Sequence, residues 1–447
     1  MNDFRKAREY LNSFINYENR NNYRYRRNFK LKRVRHLMDT LGVSYKSLKV
    51  IHVAGTKGKG STATFVSYIL AASGFKTGLY TSPHFADFRE RVKIVSSHGE
   101  NVKEDVISRK DVVAIINDFR PYLERMRFDS ELGRFTFFEI YTALALKFFL
   151  EKKVDYAVLE VGLGGRLDAT NIVHPVVSII THIGYDHTQK LGEKLREIAR
   201  EKAGIIKRSI PVVISSQRKS ALCVIQRKAR LMKAKSFLLG RDFYFYNVSL
   251  ASKTTFNFRF KDFKLRARIP LRGMCQVENA SLAIAAVHLL EEKHATKEIN
   301  YERGLKEVYL EGRFETVSRE PLIILDIAHN VSSFCALNQN IRDYFPKKKI
   351  ILIFGASKDK NVKQMLSVIN YDRMIIASFG NPRAMDPRKI KEFCNKEAVI
   401  EPSIEKAFKK ALLYYNKGCL ILVSGSFFLV AEAKEAVKRL HHVNKRL

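Results

Sequence analysis

Short apolar runs alternate with longer amphipathic stretches along most of this chain. The runs predict buried strands, and the stretches predict helices, because a helix buries one face at a period of 3.6 residues. The predicted strands are 50–54, 76–80, 154–161, 176–182 and 211–214, and the predicted helices are 3–17, 30–41, 61–73, 109–127, 136–151, 193–204 and 219–233. This alternation favours a mostly parallel sheet with helices on both faces.

The pattern changes after residue 236. Residues 237–270 lose the helical period and predict short antiparallel strands, followed by helices near 278–291 and 300–309. A second series then predicts strands at 322–326, 349–354, 373–377, 397–400 and 419–423, with helices at 331–344, 361–368, 387–394, 403–415 and 426–440. We therefore expect an α/β fold with two domains: a P-loop-type domain at 1–308 and a smaller Rossmann-like domain at 309–447. Ligands of such sheets bind at the carboxyl ends of the strands.

Charge narrows the possible partners. The chain has 80 Lys and Arg against 45 Asp and Glu, a formal net charge of +35 that suits a polyanionic substrate, a nucleic acid or a membrane surface. The densest basic cluster is Arg20, Arg24, Arg26, Arg27, Lys30, Lys32, Arg33 and Arg35, with Tyr23, Tyr25 and Phe29 interleaved. No recognised nucleic-acid-binding motif accompanies it, so no dedicated nucleic-acid partner is expected.

Hydropathy and cysteine content indicate the compartment. No uninterrupted apolar run reaches the roughly eighteen residues of a membrane-spanning helix. The five cysteines are scattered and contain no C-x-x-C pair, which is typical of reduced thiols. We expect a cytoplasmic protein with no membrane contact.

Residues 52–62, His-Val-Ala-Gly-Thr-Lys-Gly-Lys-Gly-Ser-Thr, carry the strongest chemical signal. They join a short apolar strand to an apolar helix, which is the setting of a phosphate-binding loop. Gly58 and Gly60 let the backbone approach a ligand, Lys59 can contact terminal phosphates, and Ser61 or Thr62 can offer a hydroxyl to Mg²⁺. Gly60 separates Lys59 from Ser61, a departure from the usual pattern. The stretch predicts nucleotide binding.

Further candidates lie at other element ends of the first domain. Asp186 and His187 follow a predicted strand and could ligate a metal, although such a pair is often structural. Glu139 begins an apolar helix, where a carboxylate is costly unless it is paired or bound to metal; a favourable charge at the helix start is the alternative. Spacing alone gives Lys202, near a helix end, no special role.

Two candidates belong to the second series and its junction. Asp326 and His329 close a buried strand, where a ligand contact and a simple strand-end turn are both open. Arg313 stands where the domains join and could clamp phosphates, or it could be a surface arginine.

Together these motifs resemble the folylpolyglutamate synthase and dihydrofolate synthase family, a branch of the Mur ligase superfamily. The resemblance is carried in the family's order by residues 55–61, 81–84, 137–139, 160–171, 186–188, 201–204, 278–280, 312–314, 326–330 and 425–427. The inserted Gly60 is itself a mark of this branch. Val331 departs from the pattern where Pro is common, and Lys57 fills a slot that is often Asn.

The resemblance implies a reaction and a set of site residues. ATP phosphorylates a carboxylate, and the amino group of L-glutamate attacks the acyl phosphate to give an amide, ADP and phosphate. The family pattern places Ser82, Glu139 and His187 on Mg²⁺, expected at two positions, and Lys59 with its loop on the ATP phosphates. The same pattern implies that Lys202 is a carbamylated lysine. It also implies that Asn279, Arg313 and Asp326 contact ATP and that His329 lies beside them.

The acceptor is expected to be a reduced folate, dihydropteroate or both, and the protein a monomer. A cell-wall ligase of the Mur type would need a nucleotide-sugar domain before the phosphate loop, where little more than two helices stand here. A nucleotide-regulated nucleic-acid-binding protein is the non-enzymatic alternative, and only the charge favours it.

Overall fold

The structure is a computed structural model that describes residues 3–18, 25, 29–127, 133–251, 253–294, 297–394 and 396–444. Part of the basic N-terminal cluster, Arg20, Arg24, Arg26 and Arg27, lies outside the described residues, as does Tyr23. The chain folds into two compact units. Unit 1 is Met1–Val248, Thr255–Pro270 and Gln276–Val308; unit 2 is Ser249–Thr254, Leu271–Cys275 and Tyr309–Leu447. This division differs from the predicted boundary after residue 308 in two short segments, Ser249–Thr254 and Leu271–Cys275, which belong to unit 2.

The first unit is built on an eight-stranded sheet in the order β4-β3-β2-β5-β1-β6-β7-β8. Six strands, β2, β5, β1, β6, β7 and β8, run parallel to one another. Strands β3 and β4 extend the sheet beyond β2 as an antiparallel edge. The strands are β1 (Val50–Ala54), β2 (Thr77–Tyr80), β3 (Val92–His98), β4 (Asn101–Val106), β5 (Tyr156–Glu160), β6 (Pro175–Ile180), β7 (Val212–Ile214) and β8 (Ser236–Leu238). A three-stranded sheet follows, β9 (Phe243–Leu250), β10 (Thr254–Phe260) and β11 (Phe263–Ile269).

Helices cover this sheet. They are α1 (Phe4–Asn12), α2 (Leu31–Thr40), α3 (Lys59–Ala72), α4 (Arg109–Met126), α5 (Phe137–Glu151), α6 (Thr188–Leu191), α7 (Leu195–Lys202), α8 (Lys219–Leu231), α9 (Met274–His294) and α10 (Tyr301–Glu307). Short 3₁₀ turns lie at Tyr45–Ser47, Phe88–Arg91, Ala169–Ile172 and Ala203–Ile205. Every residue of β1 and of β5 is buried, as expected for strands covered on both faces.

The register of the central strands positions the candidate residues. In β1, Val53 pairs with Glu160 of β5 on one side, and Ala54 pairs with Ile180 of β6 on the other. All three strands are parallel, so their carboxyl ends meet at one edge of the sheet. The segments that follow them, beginning at Gly55, Val161 and Thr181, therefore start side by side.

The second unit is a six-stranded sheet in the order β12-β13-β17-β14-β15-β16. Its strands are β12 (Glu315–Arg319), β13 (Leu322–Leu325), β14 (Lys349–Phe354), β15 (Arg373–Ala377), β16 (Ala398–Glu401) and β17 (Cys419–Ser424), and its helices are α11 (Val331–Tyr344), α12 (Val362–Ser367), α13 (Pro387–Lys391), α14 (Ile404–Tyr414) and α15 (Phe427–Asn444). All pairings are parallel except β12 with β13. The predicted fold class, a mostly parallel sheet domain and a smaller α/β domain, is confirmed.

Among the described residues, none of the helices combines the length and the apolar character that a membrane span requires.

Candidate active site

The phosphate loop runs from the end of β1 to the start of α3. Gly58 has φ of 82° and precedes Lys59, the first residue of α3. The backbone N–H groups of Thr56 and Lys57 donate to the carbonyl oxygen of His182, at 2.8 and 3.2 Å. The loop is thus tied to the segment that follows β6.

Asn279 of α9 supports the other side of this loop. A Cβ atom at Gly58 would lie 2.1 Å from Asn279 Oδ1, so any side chain there would displace the Asn279 amide, and the positive φ also favours glycine. Thr62 Oγ1 donates to Asn279 Oδ1 at 3.4 Å, and Asn279 Nδ2 donates to Gln276 Oε1 at 3.1 Å. Ser61 and Thr62, the two hydroxyl residues of the motif, are buried. Asn279, predicted to contact ATP, therefore supports the phosphate loop in this structure.

Glu160 joins three of the predicted site residues. Its Oε1 lies 3.8 Å from Lys59 Nζ, and its Oε2 accepts a hydrogen bond from the Ser82 backbone N–H at 3.0 Å. A Cβ atom at Gly60 would lie 3.2 Å from the same carboxylate. In the sequence analysis Glu160 is only the first residue of the stretch 160–171 and has no role. The sequence feature that could have identified it is a carboxylate at the end of an otherwise apolar strand, because such a group needs a partner.

The segment after β6 brings Asp186 and His187 toward the phosphate loop. Asp186 Oδ2 lies 4.0 Å from Lys57 Nζ, and Asp186 Oδ1 accepts from the His187 backbone N–H. Thr56 Oγ1 donates to the carbonyl oxygen of Gly184 at 3.2 Å. His187 is exposed, has φ of 50°, and directly precedes α6. Its side chain is therefore accessible beside the loop.

Glu139 was predicted to bind Mg²⁺, but in the structure its carboxylate is paired with Arg33. The Arg33 guanidinium donates to both of its carboxylate oxygens, with Arg33 Nε at 2.8 and 3.1 Å and the terminal nitrogen at 2.6 Å. The Thr136 N–H also donates to Glu139, which completes a capping box at the start of α5. Both side chains of the ion pair are 5% exposed. This placement fits the alternative of a paired charge at a helix start, and it does not fit a metal role.

Lys202 is buried at the end of α7. Its Nζ donates to the carbonyl oxygen of Gly55 at 2.6 Å, so it contacts the first residue of the phosphate loop. Burial, and secondarily the charge of Lys59, lowers the pKa of Lys202 from 10.5 to about 7. At neutral pH a large share of this side chain is therefore the neutral amine.

The glycine-rich loop after β5 explains this burial. A Cβ atom at Gly165 would lie 2.8 Å from the Glu201 carbonyl oxygen and 3.1 Å from Lys202 Cα, so the loop backbone packs directly on the end of α7. Arg166 pairs with the Glu201 carboxylate at 2.9 Å. Asp168 is fully buried and accepts from the backbone N–H groups of Leu163 and Thr170. The loop is a structural support for Lys202.

The predicted residues of unit 2 lie at the end of β13. Asp326 accepts from the backbone N–H groups of Ala328 at 2.8 Å and Phe314 at 2.9 Å, which organises the strand-end turn. His329 Nδ1 lies 2.8 Å from the carbonyl oxygen of Ile327. Because a carbonyl oxygen only accepts, Nδ1 carries the proton in this arrangement, and the neutral ring has its lone pair on Nε2. Arg313 is half-buried beside Phe314.

The donor set of unit 1 fits a hard cation. Mg²⁺ is usually held by one or two carboxylates and by substrate phosphates, and it keeps several waters. Ser82 and Glu160 are adjacent at the strand ends, and His187 lies in the neighbouring segment. Within the described ranges no three His, Cys, Asp or Glu side chains cluster as a ready-made metal cage. The arrangement suits an ion that arrives with a nucleotide.

Two family models match the chain. The Mur ligase middle domain matches residues 122–287, and the Mur ligase glutamate ligase domain matches residues 312–427. These matches define the class as that of the Mur ligases.

More specific relatives cover nearly the whole chain. The dihydrofolate synthase/folylpolyglutamate synthase of Bacillus subtilis is 34% identical over 419 residues, which are 91% of this chain and 95% of the relative. The folylpolyglutamate synthase structure from Thermotoga maritima superposes with a TM-score of 0.82 at 30% identity, covering 97% of this chain and 96% of that one. The Mycobacterium tuberculosis folylpolyglutamate synthase complexed with ADP gives a TM-score of 0.86 at 26% identity, covering 97% and 98%. The chain belongs to the folylpolyglutamate synthase/dihydrofolate synthase family of Mur ligases.

Proposed function

We propose that this protein is an ATP-dependent ligase that joins L-glutamate to a folate, and to dihydropteroate if it shares both activities named for its Bacillus relative. The carboxylate of the acceptor takes the γ-phosphoryl group of ATP, and ADP leaves. The glutamate amino group then attacks the acyl phosphate, phosphate leaves, and an amide bond remains. A carboxylate is a poor electrophile at neutral pH, so phosphorylation supplies the leaving group.

The observation that carries this proposal is the contact of Lys59, Glu160 and Ser82 at the end of the phosphate loop. Phosphoryl transfer needs positioning and charge neutralisation rather than covalent chemistry by the protein. Lys59 and the N–H groups at the start of α3 are the groups for the ATP phosphates, with Gly58, Gly60 and Ser61 shaping the loop.

Mg²⁺ neutralises phosphate charge when it is bound, and we assign Ser82, Glu160 and His187 as its holders. Glu160 replaces Glu139 in this set because Glu160 contacts Lys59 and Ser82, whereas Glu139 is paired with Arg33. Two ions remain the expectation. Their phosphate ligands would come with the nucleotide.

We further propose that Lys202 carries a carbamate. The neutral amine attacks CO₂, a C–N bond forms, and one proton leaves the nitrogen, so the neutral amine becomes an anionic carbamate. A pKa of about 7 supplies the neutral amine, and the adjacent Lys59 favours the anionic product. A carbamate at this position would lie beside the phosphate loop and attract cations.

Roles for unit 2 complete the proposal. Its strand ends, around Ala328-His329-Asn330 and Ser424-Gly425-Ser426, are the proposed glutamate site. Arg313 and Asp326 remain predicted ATP contacts, with His329 beside them. The match to a glutamate ligase domain over residues 312–427 supports this division of work. A monomer in the cytoplasm remains the expected state.

The decisive assay measures ADP release with L-glutamate and either dihydropteroate or tetrahydrofolate. ADP release that needs both glutamate and a folate acceptor, with an added glutamate seen by mass spectrometry, is the expected result. Salt-sensitive binding to RNA or DNA without such turnover would instead favour the nucleic-acid-binding alternative.

A further inference from the structure

The loop after β2 carries Ser82 and returns to its own starting point. Val92, the first residue of β3, pairs with Tyr80, the last residue of β2. The Thr81 N–H donates to the carbonyl oxygen of Arg91 at 3.0 Å. The residues just before β3, Glu90 and Arg91, are therefore next to the base of the loop that they close.

Glu90 fixes the backbone of the loop. Its carboxylate accepts from three consecutive N–H groups, those of Phe85 at 2.7 Å, Ala86 at 3.1 Å and Asp87 at 2.8 Å. Hydrogen bonds to a charged acceptor are stronger than those between neutral groups. Three of them on one carboxylate hold residues 85–87 in a single conformation.

Arg91 fixes the part of the loop nearest Ser82. Its side chain is 1% exposed, and its Nε donates to His84 Nδ1 at 2.9 Å. Its other two nitrogens donate to the two oxygens of Glu18 at 2.7 and 2.6 Å. A guanidinium has a planar, rigid fork of donors, so a fully engaged one orients its partners.

We propose that Glu90 and Arg91 are positioning residues for the ligase reaction: they hold residues 84–87 so that Ser82, whose backbone N–H donates to Glu160, stays at that position. This inference rests on the proposed function, which makes Ser82 and Glu160 donors to Mg²⁺. Groups behind a metal ligand orient it, and their loss weakens metal binding. Ser82 is then held from two directions, by Glu160 at its N–H and by Arg91 through His84.

The same network gives the N-terminal region a role in the site. Glu18 lies in the segment after α1, and it binds the guanidinium that holds His84. The Arg91 guanidinium also lies 5.8 Å from the ring centroid of Phe137, at the start of α5. Two elements distant from Ser82 in sequence thereby help to determine its orientation.

The test compares, in the full-length enzyme, the Mg²⁺ dependence of turnover and the Mg²⁺ dependence of ADP binding measured by calorimetry. In Glu90→Gln, Arg91→Lys and His84→Ala we expect the Mg²⁺ concentration for half-maximal rate to rise about tenfold or more, the range seen for residues behind a metal ligand. Turnover at saturating Mg²⁺ should fall less. Glu104→Gln is the matched control, because it breaks the 2.6 Å ion pair with Lys93 on the neighbouring β3–β4 hairpin. It should lower the unfolding midpoint without moving the Mg²⁺ curve.

Ser82→Ala separates the two levels of the hypothesis. If its Mg²⁺ curve shifts while those of the Glu90 and Arg91 variants overlay the parent, the positioning role is wrong and the metal site stands. If its curve does not shift either, the proposed metal site itself is wrong. His84→Ala removes the acceptor of Arg91 Nε and leaves Arg91 itself intact. If Arg91→Lys does not fold, the Mg²⁺ curve of His84→Ala therefore tests the positioning role of Arg91.

Discussion

Lys202 Nζ lies 2.6 Å from the carbonyl oxygen of Gly55, so a buried lysine touches the first residue of the phosphate loop. Burial and the nearby positive charge of Lys59 both disfavour the protonated form of this nitrogen. Its protonation therefore couples the stability of the loop to pH.

The first prediction is a pH dependence of stability. Between pH 7 and 10.5 the unfolded chain holds a proton on Lys202 that the folded chain releases. Stability therefore rises with pH across this window, by at most about 1.4 kcal/mol per pH unit from this group. Urea unfolding in CO₂-free buffer should show that Lys202→Met flattens the rise. Parallel profiles for parent and variant would contradict the lowered pKa.

The second prediction concerns the carbamate. Intact-mass and peptide analysis should show one CO₂ on Lys202 that depends on bicarbonate, and Lys202→Ala should lose turnover that a small added carboxylate partly restores. Lys207 is the control, because burial also lowers its pKa, to about 8, yet it donates to the Asn171 carbonyl oxygen instead of the phosphate loop. A plain ammonium on Lys202 in an active, ligand-bound crystal would exclude the modification.

The third prediction separates two glutamates. Glu160→Gln should raise the Mg²⁺ requirement with little change in stability. Glu139→Gln should leave the Mg²⁺ requirement unchanged. It should lower the free energy of unfolding by about 3 kcal/mol, because the buried Arg33 charge loses its partner. Mg²⁺ titrations and urea unfolding of both variants decide this. A metal effect confined to Glu139→Gln would restore the metal role of Glu139.

The fourth prediction concerns Lys59. Its loss removes one electrostatic stabiliser of the transferred phosphoryl group, so Lys59→Ala should lower kcat about a hundredfold or more. Circular dichroism and thermal unfolding establish that the variant is folded. Parent-like turnover in a folded variant would remove Lys59 from the phosphate site.

The fifth prediction uses two glycines with positive φ. Gly58→Ala meets Asn279 at 2.1 Å, whereas a Cβ atom at Gly99, with φ of 60°, meets nothing within 4 Å. Both changes should cost about 1–2 kcal/mol for the left-handed backbone, but only Gly58→Ala should also raise the KM for ATP. Equal KM values in the two variants would show that the Asn279 contact does not shape the loop.

The elements that the sequence pattern predicted are those with a strong hydrophobic signal. The strands β1, β5 and β6 are apolar and buried, and they lie close to their predicted bounds. The hairpin β3–β4 was not predicted, because β4 has the sequence Asn-Val-Lys-Glu-Asp-Val and is largely exposed at the edge of the sheet. β12, another edge strand, was missed because its sequence, Glu-Thr-Val-Ser-Arg, contains a single apolar residue and gives no hydrophobic signal.

The candidate site was predictable only as far as local motifs reach. The phosphate loop can be read from adjacent residues, but partners from distant elements cannot. The sequence showed that Glu139 was a costly buried carboxylate, yet its partner Arg33 is 106 residues away. Nothing near Lys202 signals its burial, which depends on the close approach of the Gly165 backbone.

The phosphate loop is contiguous, but its supports are scattered along the chain. The contact from Lys202 to Gly55 spans 147 residues, and that from Asn279 to Thr62 spans 217. Contacts of such separation form late, since long segments of chain must close before they are made. During synthesis the loop leaves the ribosome well before Asn279 does, and domains mature only as their parts become available. A nascent chain therefore carries the complete ATP motif for most of the translation of unit 1 before it can hold that motif in its final shape.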